Sequence, residues 1–150
     1  HEKFSLIIDI FVINMALDIR VLNNTDYDEI LLGWWKEWGW EPPQKDFLPQ
    51  DATGGCIVFD GDEYVCAGFI YMTNSKVVWI DWIISNKNYR KKPERQEAIK
   101  MLINNLTDVG RSLGAKYGYA LIKHKGLIKC YEEFGYIKGD SYTGEMIKIL

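Results

Sequence analysis

Cysteine, proline and long apolar runs are scarce in this sequence. Its three cysteines, Cys56, Cys66 and Cys130, are too few and too far apart for a disulfide framework or a zinc site. Cys56 and Cys66 stand in apolar, strand-like runs, so we expect buried, reduced thiols and a cytoplasmic protein. No apolar run approaches the roughly 20 residues of a membrane-spanning helix. We therefore expect no bound metal and no membrane partner.

The charge of the chain is slightly negative and unevenly distributed. A net charge of −3 and a pI near 5.4 argue against nucleic acid as a partner. Positive charge is concentrated in a stretch of nine positions that contains Lys87, Arg90, Lys91, Lys92 and Arg95. Cations at the start of a helix are unfavourable unless an anion binds there, so the stretch is either an anion site or a solvated turn.

The length and apolar content predict one domain with one core. A chain of 150 residues that is 47% hydrophobic can bury a sizeable core without disulfides. We place the domain at residues 15–150, because a strand-like run follows Met15. Residues 1–14 are either a leader foreign to the native protein or an extra strand, since Ile, Val and Phe favour strands. The oligomeric state, monomer or homodimer, stays open.

Hydrophobic periodicity predicts alternating strands and helices. The predicted elements are a strand over 16–22, a helix ending near Trp38, strands over 56–59, 64–72 and 77–85, a long helix opening at Pro93, a strand over 116–122, a helix over 127–134, and terminal strands over 136–137 and 145–150. The order β-α-β-β-β-α-β-α-β indicates an α/β (α+β) fold, in which a mixed sheet carries helices on both faces.

This order resembles that of the GNAT (GCN5-related N-acetyltransferase) family, and the segment 77–102 carries part of the resemblance. In that family the turn before the long helix reads Arg/Gln-x-x-Gly-x-Gly/Ala, and its amides hold the coenzyme A pyrophosphate. A helix N-terminus suits phosphate because its free amides and its dipole attract anions. Here the turn keeps Arg90, while Pro93 and Arg95 replace the two glycines. Pro93 has no N–H to donate, but the surrounding cations can supply charge.

A second segment, 124–136 (HKGLIKCYEEFGY), is similar to the family pattern Asn-x-x-Ala-x-x-x-Tyr-Glu-x-x-Gly-Phe. The residues that match in register are Tyr131, Glu132, Gly135 and the aromatic Tyr136. His124 stands where the family often has Asn. The tryptophan-rich first helix and the hairpin at 71–75 also resemble GNAT-like proteins of bacteriophages.

The resemblance implies an N-acetyltransferase that moves an acetyl group from acetyl-CoA, its co-substrate, to an acceptor amine. It implies that the pantetheine arm lies against the central strand at Ile83, Ile84 and Ser85. The residues implied for the pyrophosphate are those of the basic turn, Arg90, Lys91, Lys92 and Arg95. His124 is expected to hydrogen-bond the cofactor or to cap the next helix, although histidine is also a residue type that serves as a general base.

Two side chains are candidates for proton transfer. The resemblance implies that Tyr131 is the general acid near the thioester sulfur; the alternative is a ring that only packs beneath its helix. Asp81 is the candidate general base, because it is the only carboxylate in the run 77–84 and shares strand parity with Trp79 and Ile83. The alternative for Asp81 is a solvent-facing strand residue paired with a lysine.

Four tryptophans fall within seven residues around the first helix. Trp34 and Trp38 have the i, i+4 spacing of one helical face, so we expect both in the core. Trp35 and Trp40 are expected to line the acceptor site.

Two other functions compete with acetyl transfer. Because the turn lacks both glycines, the chain is alternatively a degenerate GNAT fold that acts as a binding or interaction module without catalysis. A nucleic-acid binder that uses the basic turn is the weaker alternative, since the acidic balance opposes it; salt-dependent DNA binding would reveal it.

Overall fold

A computed structural model describes residues 16–150. The expectation about residues 1–14 lies outside the described residues. The strands are β1 Leu17–Val21, β2 Gly55–Asp60, β3 Glu63–Met72, β4 Val77–Ser85 and β5 Tyr117–Tyr119, and the helices are α1 Leu32–Glu37, α2 Lys92–Ser112 and α3 Lys125–Glu132. A π-helical turn, Tyr27–Leu31, leads directly into α1, and a short 3-10 turn, Lys45–Phe47, precedes β2.

The five strands form one sheet in the order in which they occur in the chain. The pairs β1–β2, β2–β3 and β3–β4 are antiparallel, whereas β4 and β5 are parallel. A parallel pair needs a crossover connection, and α2 provides it between β4 and β5. The predicted mixed α/β sheet is thereby confirmed.

The sheet buries apolar side chains on both faces. On the long-helix face, which α2 and α3 cover, the fully buried side chains include Val58, Ile80, Leu102, Ile103 and Leu106. On the first-helix face, which the π-helical turn and α1 cover, the buried side chains include Leu31, Trp34, Trp35, Ile57, Phe69 and Ile84. β4, which lies between β3 and β5, contributes to both clusters, so both cores position this strand.

The π-helical turn changes which tryptophans are buried. The amide of Leu32 donates to the carbonyl of Tyr27, five residues earlier, so the turn holds one more residue than an α-helical turn. The extra residue shifts the phase of α1. Trp35 is therefore a core residue with 3% of its surface exposed, not a side chain free to line the acceptor site as its position predicted. Trp34 is in the core as expected, and Trp38 is only partly buried.

The three cysteines are free and buried, as the sequence predicted. Burial raises the pKa of each thiol, so all three stay protonated and unreactive at neutral pH. Among the helices of residues 16–150, none combines the length and the apolar content that a membrane span needs. The same residues bring together no group of three or more His, Cys, Asp or Glu side chains that could hold a metal ion.

The C-terminal strands predicted over 136–137 and 145–150 are wrong. Residues 136–150 form no regular secondary structure, and Ile137, Met146 and Ile149 are 92–93% exposed. β5 is also shorter than the predicted strand over 116–122. Alternating apolar residues predict an extended segment, but a strand also needs a neighbouring edge with which to pair.

A partly buried ion pair joins β1 to the first helix. Arg20 donates from Nη1 and Nη2 to the two carboxylate oxygens of Asp26, each at 2.8 Å, and the Asn23 amide donates to the same carboxylate at 2.7 Å. Burial alone would raise the pKa of Asp26, which is 2% exposed, but these hydrogen bonds outweigh it and the pKa is lowered. Asp26 therefore holds the start of the first helix as a carboxylate.

Replacing this carboxylate should destabilise the fold. Asp26→Asn is expected to lower the free energy of unfolding by about 1.5–3 kcal/mol, the usual contribution of a charged hydrogen bond, as measured by urea denaturation at pH 7. Because the pKa of Asp26 is lowered on folding, its contribution is lost as the pH falls, and the difference from wild type should narrow below about pH 4. Asp28→Asn is the control, since the ion pair of Asp28 with Lys45 is exposed and, at 3.6 Å, longer than that of Asp26 with Arg20. Equal losses in the two variants would contradict the assignment.

Candidate active site

Strand β4 contains a bulge at Trp82. The φ angle of Trp82 is 57°, in the left-handed region that bulky residues rarely adopt. The register between β3 and β4 shifts at the same point, between Ala67 and Phe69. The Trp82 indole makes edge-to-face contacts with Trp35 and Phe47, with ring centroids 6.4 and 5.9 Å apart. Aromatic packing on two sides thus supports an unfavourable backbone conformation.

The bulge interrupts the alternation of side chains along β4. Ile80 packs on the long-helix face, and so does Ile83, three residues later, while Ile84 packs on the first-helix face. Asp81 stands opposite Phe69 of β3, a residue of the first-helix face. Asp81 and Ile83 therefore lie on opposite faces of the sheet, and the predicted shared parity of these two residues is wrong.

Two hydrogen-bond donors orient the carboxylate of Asp81. The Trp79 indole donates to Oδ2 and the backbone amide of Trp82 donates to Oδ1, both at 2.8 Å. Burial raises the pKa of Asp81, these two hydrogen bonds partly oppose the rise, and the charge of Glu145 adds to it. The net result is a carboxylate that is more basic than an exposed aspartate.

The hydroxyl of Tyr131 lies where β4 and β5 separate. The two strands pair from Val77 to Trp79 of β4, and the next carbonyl along β4, that of Ile80, accepts a hydrogen bond from the Tyr131 hydroxyl at 2.9 Å. Tyr131 is 2% exposed and packs edge-on against Tyr136. Burial, with a further contribution from the charge of Asp81, raises the pKa of Tyr131, so the hydroxyl keeps its proton at neutral pH. The Tyr131 hydroxyl, from α3, thus contacts β4 at Ile80, the residue before Asp81.

The last three residues of β4 differ in how far they are free to contact a ligand. Ile84 is 1% exposed and belongs to the core, whereas Ile83 is only partly buried. The carbonyl of Ser85 already accepts a hydrogen bond from the Trp38 indole at 2.8 Å. Of the three residues predicted to contact the pantetheine arm, Ile83 lies next to the bulge, and Ser85 shares its carbonyl with the first helix.

The turn between β4 and α2 surrounds a cationic recess of about 340 Å³, lined by Lys87, Asn88, Tyr89, Arg90 and Arg95. Arg95 reaches back beneath this turn. Its Nη2 donates to the carbonyls of Asn86 and Lys87, at 3.2 and 3.3 Å, and to that of Tyr89. Its Nε is buried and has no hydrogen-bond partner among the described residues. Arg95 thus braces the turn in addition to lining the recess.

The start of α2 is fixed by an ion pair. The Nζ of Lys91 lies 3.1 Å from Oδ2 of Asp60, which also accepts a hydrogen bond from the Tyr89 hydroxyl at 2.8 Å. The helix begins at Lys92, with Pro93 in its first turn, as the sequence predicted. Lys91 is therefore directed to the end of β2 and is not among the residues that line the recess.

An aromatic ladder connects the first helix with the start of α3. The rings of Trp38 and Trp40 are stacked at 5.5 Å, and Trp40 lies 6.0 Å from His124, the residue before α3. The ammonium of Lys87 lies 5.2 Å above the Trp38 ring. Trp40 is 43% exposed, so its ring is accessible to a ligand, and its place in the acceptor site stays a prediction. The ladder links the basic turn, the end of β4 and His124 on one side of the protein.

The sequence alone did not reveal three residues of this site. The strand pattern sets Trp79 on the same side as Asp81 but predicts no contact for Trp79 or Trp82, whereas the Trp79 indole and the Trp82 amide both donate to Asp81. Lys87 belongs to the basic stretch of the sequence, and its contact with the Trp38 ring, 49 residues earlier in the chain, depends on the fold. The one available signal was the pattern Trp79-x-Asp81-Trp82, in which two indoles flank the only carboxylate of an apolar strand.

Comparison with known proteins gives structural matches and no sequence match. No protein-family model and no curated protein matches the sequence. The fold is similar to glucosamine-6-phosphate N-acetyltransferase from Arabidopsis thaliana, with a TM-score of 0.63, 13% identity, and coverage of 88% of this chain and 99% of that one. An acetyltransferase of Trypanosoma brucei matches with a TM-score of 0.60, 18% identity, and coverage of 87% and 99%.

AAC(6')-Iy, solved in complex with the bisubstrate analog CoA-S-monomethyl-acetylneamine, matches with a TM-score of 0.60 and 16% identity. The match covers 89% of this chain and 99% of that one. In all three comparisons the match covers nearly the whole length of the other protein. The chain has the fold of the GNAT acetyltransferases.

Proposed function

We propose that this protein is an N-acetyltransferase that moves an acetyl group from acetyl-CoA to an acceptor amine. The observation that carries the proposal is the position of two groups where β4 and β5 stop pairing, just after Trp79. The buried hydroxyl of Tyr131 contacts β4 at this point, and the carboxylate of Asp81, whose pKa is raised, is the next residue along the strand. The cationic recess at the other end of β4 supports it, because coenzyme A carries phosphates at the end remote from its thioester. The similar structures solved to date include one in complex with a coenzyme A analog.

The residues at the basic turn fit a phosphate-bearing group. Lys87 and Arg90 line the recess, and the first amides of α2 have no acceptor within the helix. Pro93 cannot donate, but its fixed φ suits the first turn of a helix, so the turn remains a rigid helix start. Arg95 braces the turn through its hydrogen bonds to the turn carbonyls, and its buried Nε has no hydrogen-bond partner among the described residues.

The chemistry requires a neutral amine and a proton for the leaving thiolate. In our proposal Asp81 accepts a proton from the incoming ammonium, directly or through water, and the amine nitrogen then attacks the thioester carbonyl carbon. The carbon–sulfur bond breaks as the new amide bond forms, and Tyr131 donates its proton to the thiolate sulfur. The second proton of the nitrogen leaves as the amide forms and, through solvent, restores the Tyr131 hydroxyl, so that one proton, held by Asp81, is released in each cycle. The raised pKa values of both groups agree with these roles, since Asp81 gains basicity and Tyr131 stays protonated.

The alternative is a GNAT fold that binds a ligand without catalysis. For both functions we propose a reducing, cytoplasmic location. One observation favours it: both turn glycines of the family pattern are absent, and Arg95 occupies the carbonyls of the turn. The two proposals differ in whether acetyl-CoA binds at all.

Acetyl-CoA binding is the first test. Calorimetry should show binding of acetyl-CoA to the wild type, and Lys87→Ala combined with Arg90→Ala should weaken it at least tenfold, which corresponds to about 1.4 kcal/mol. The loss should shrink at high salt, since exposed phosphate contacts are screened. Lys76→Ala combined with Lys116→Ala is the control, because Lys76 precedes β4 and lies about 25 Å from the basic turn. No binding at millimolar acetyl-CoA would reject the proposed function.

Loss of the Tyr131 hydroxyl should slow the reaction more than it weakens binding. Tyr131→Phe keeps the ring and is expected to lower kcat about 10²–10⁴-fold, the usual contribution of general acid catalysis, with little change in acetyl-CoA affinity. Tyr136→Phe is the matched control, because its hydroxyl bonds Thr107 at 2.8 Å and not β4. A turnover unchanged at saturating substrates would remove Tyr131 from the mechanism.

The pH dependence should report the state of Asp81. The base is the deprotonated carboxylate, so kcat/KM should fall as the pH drops through the pKa of Asp81, which lies above the ordinary value of 3.8. Asp81→Asn should lower kcat/KM and abolish this acid limb, because the amide does not titrate. Asp62→Asn, in an exposed hairpin turn, should keep the limb. An identical acid limb in Asp81→Asn would assign the titration to another group.

A further inference from the structure

We propose that Trp79 is a positioning residue for the base: its indole N–H holds Asp81 in the carboxylate form and fixes the orientation in which that carboxylate meets the acceptor amine. The inference rests on the proposed acetyl transfer, in which Asp81 takes the proton. It adds a residue that acts on the reaction through Asp81.

The strand places the two side chains together. Trp79 and Asp81 flank Ile80, which packs on the long-helix face, so both point to the first-helix face. Trp79 is also the last residue of β4 that pairs with β5. The indole therefore stands where the two strands stop pairing, next to the candidate base.

Packing on β5 holds the indole in place. Tyr119 is the pairing partner of Trp79, and the two rings meet edge-to-face with centroids 5.0 Å apart. On the other side, Tyr71 of β3 stands opposite Trp79 in the sheet. A ring that is already ordered by its neighbours loses little further conformational entropy when it donates a hydrogen bond. The position of Trp79 Nε1 thus fixes the position of the carboxylate oxygen that it contacts.

The two donors to Asp81 leave room for a proton. Trp79 Nε1 donates to Oδ2 and the Trp82 amide donates to Oδ1, both at 2.8 Å. Because a carboxylate oxygen has two lone pairs, each oxygen of Asp81 keeps one for the incoming ammonium or for a bridging water. The donors therefore orient the base without occupying it.

The indole N–H favours the charged form of Asp81 alone. Indole is a donor and never an acceptor, so it cannot receive a hydrogen bond from a protonated carboxyl group. Among the described side chains no cation forms an ion pair with Asp81. The Trp79 indole and the Trp82 amide are thus the groups that oppose the effect of burial on the pKa of Asp81.

Three titratable side chains from other parts of the fold interact with the charge of Asp81: Tyr71 from β3, Tyr131 from α3 and Glu145 from the C-terminal segment. Burial raises the pKa of both tyrosines, so they keep their protons throughout the acid range. Of these three side chains, Glu145 is the one that titrates in the same range as Asp81. The experiment is therefore repeated with Glu145→Gln.

The test is the protonation midpoint of Asp81, measured on the full chain without acetyl-CoA. Carboxyl-carbon NMR follows the titration, and Asp81→Asn identifies the signal. In Trp79→Phe the midpoint should rise by about one pH unit, because loss of a donor to the charged form raises the pKa. The acid limb of kcat/KM should move to higher pH by the same amount, with acetyl-CoA affinity unchanged. The same shift should be found with Glu145→Gln.

Two further variants separate hydrogen bonding from packing. Tyr119→Leu removes the ring that packs on Trp79 and keeps the donor, so the midpoint should stay in place. Replacing Trp79 with 3-benzothienylalanine keeps a bicyclic ring of the same shape but has sulfur in place of N–H. This replacement should shift the midpoint as Trp79→Phe does, and it serves even if Trp79→Phe fails to fold.

The outcomes separate this inference from the proposed function. An unchanged midpoint when Trp79 is replaced, or an equal shift in Tyr119→Leu, overturns the role of Trp79 and leaves acetyl transfer standing. A wild type that turns over no acetyl-CoA rejects the proposed function, and the NMR midpoint then still decides whether Trp79 holds Asp81 as a carboxylate.

Discussion

In the middle of β4, the backbone of Trp82 is held in a left-handed conformation, and the geometry of the candidate site follows from it. Such a conformation costs about 1–3 kcal/mol for a residue with a large side chain. The edge contacts of its indole with Trp35 and Phe47 offset that cost. Because the bulge adds one residue to β4, Asp81 and Trp82 point to the same side of the sheet as the first helix. The carboxylate then receives the Trp82 amide as a donor, which a regular strand would give to β3.

The first helix is the second support of the site. Arg20 and Asp26 fix its start against β1, and the π-helical turn sets its phase so that Trp35 reaches the bulge. At its other end Trp38 bonds the last carbonyl of β4. Loss of the ion pair would therefore alter the packing of Trp35 on Trp82, although neither Arg20 nor Asp26 contacts Trp82 directly.

The basic stretch divides into side chains with different roles. Arg95 neutralises carbonyl dipoles inside the turn, Lys91 pairs with Asp60, and Lys87 and Arg90 remain at the recess. A helix N-terminus with several cations is electrostatically unfavourable by itself. The turn carbonyls that bind Arg95 and the carboxylate that binds Lys91 reduce this repulsion. Only the charges of Lys87 and Arg90 then remain to bind an anion at the recess. In this turn, which lacks the glycines of the family pattern, the hydrogen bonds of Arg95 hold the backbone in place.

The sequence by itself determined the order of the strands and helices from β1 to α3, because helical and strand periodicities differ and are local properties. Pro93 marked the start of the long helix through its fixed φ, and the apolar surroundings of Cys56 and Cys66 predicted their burial. The pattern around Tyr131 was also readable from the sequence, and it placed this residue on the helix that faces β4.

Tertiary structure decided what depends on neighbours distant in the chain. The bulge at Trp82 exists because Trp35 and Phe47 pack on either side of its ring, and no periodicity within β4 encodes those contacts. The same holds for Arg95, whose carbonyl partners become acceptors only once the turn has folded. The apolar residues at 145–150 alternate as in a strand, but a strand forms only where a sheet edge accepts its hydrogen bonds, and that is a property of the assembled fold.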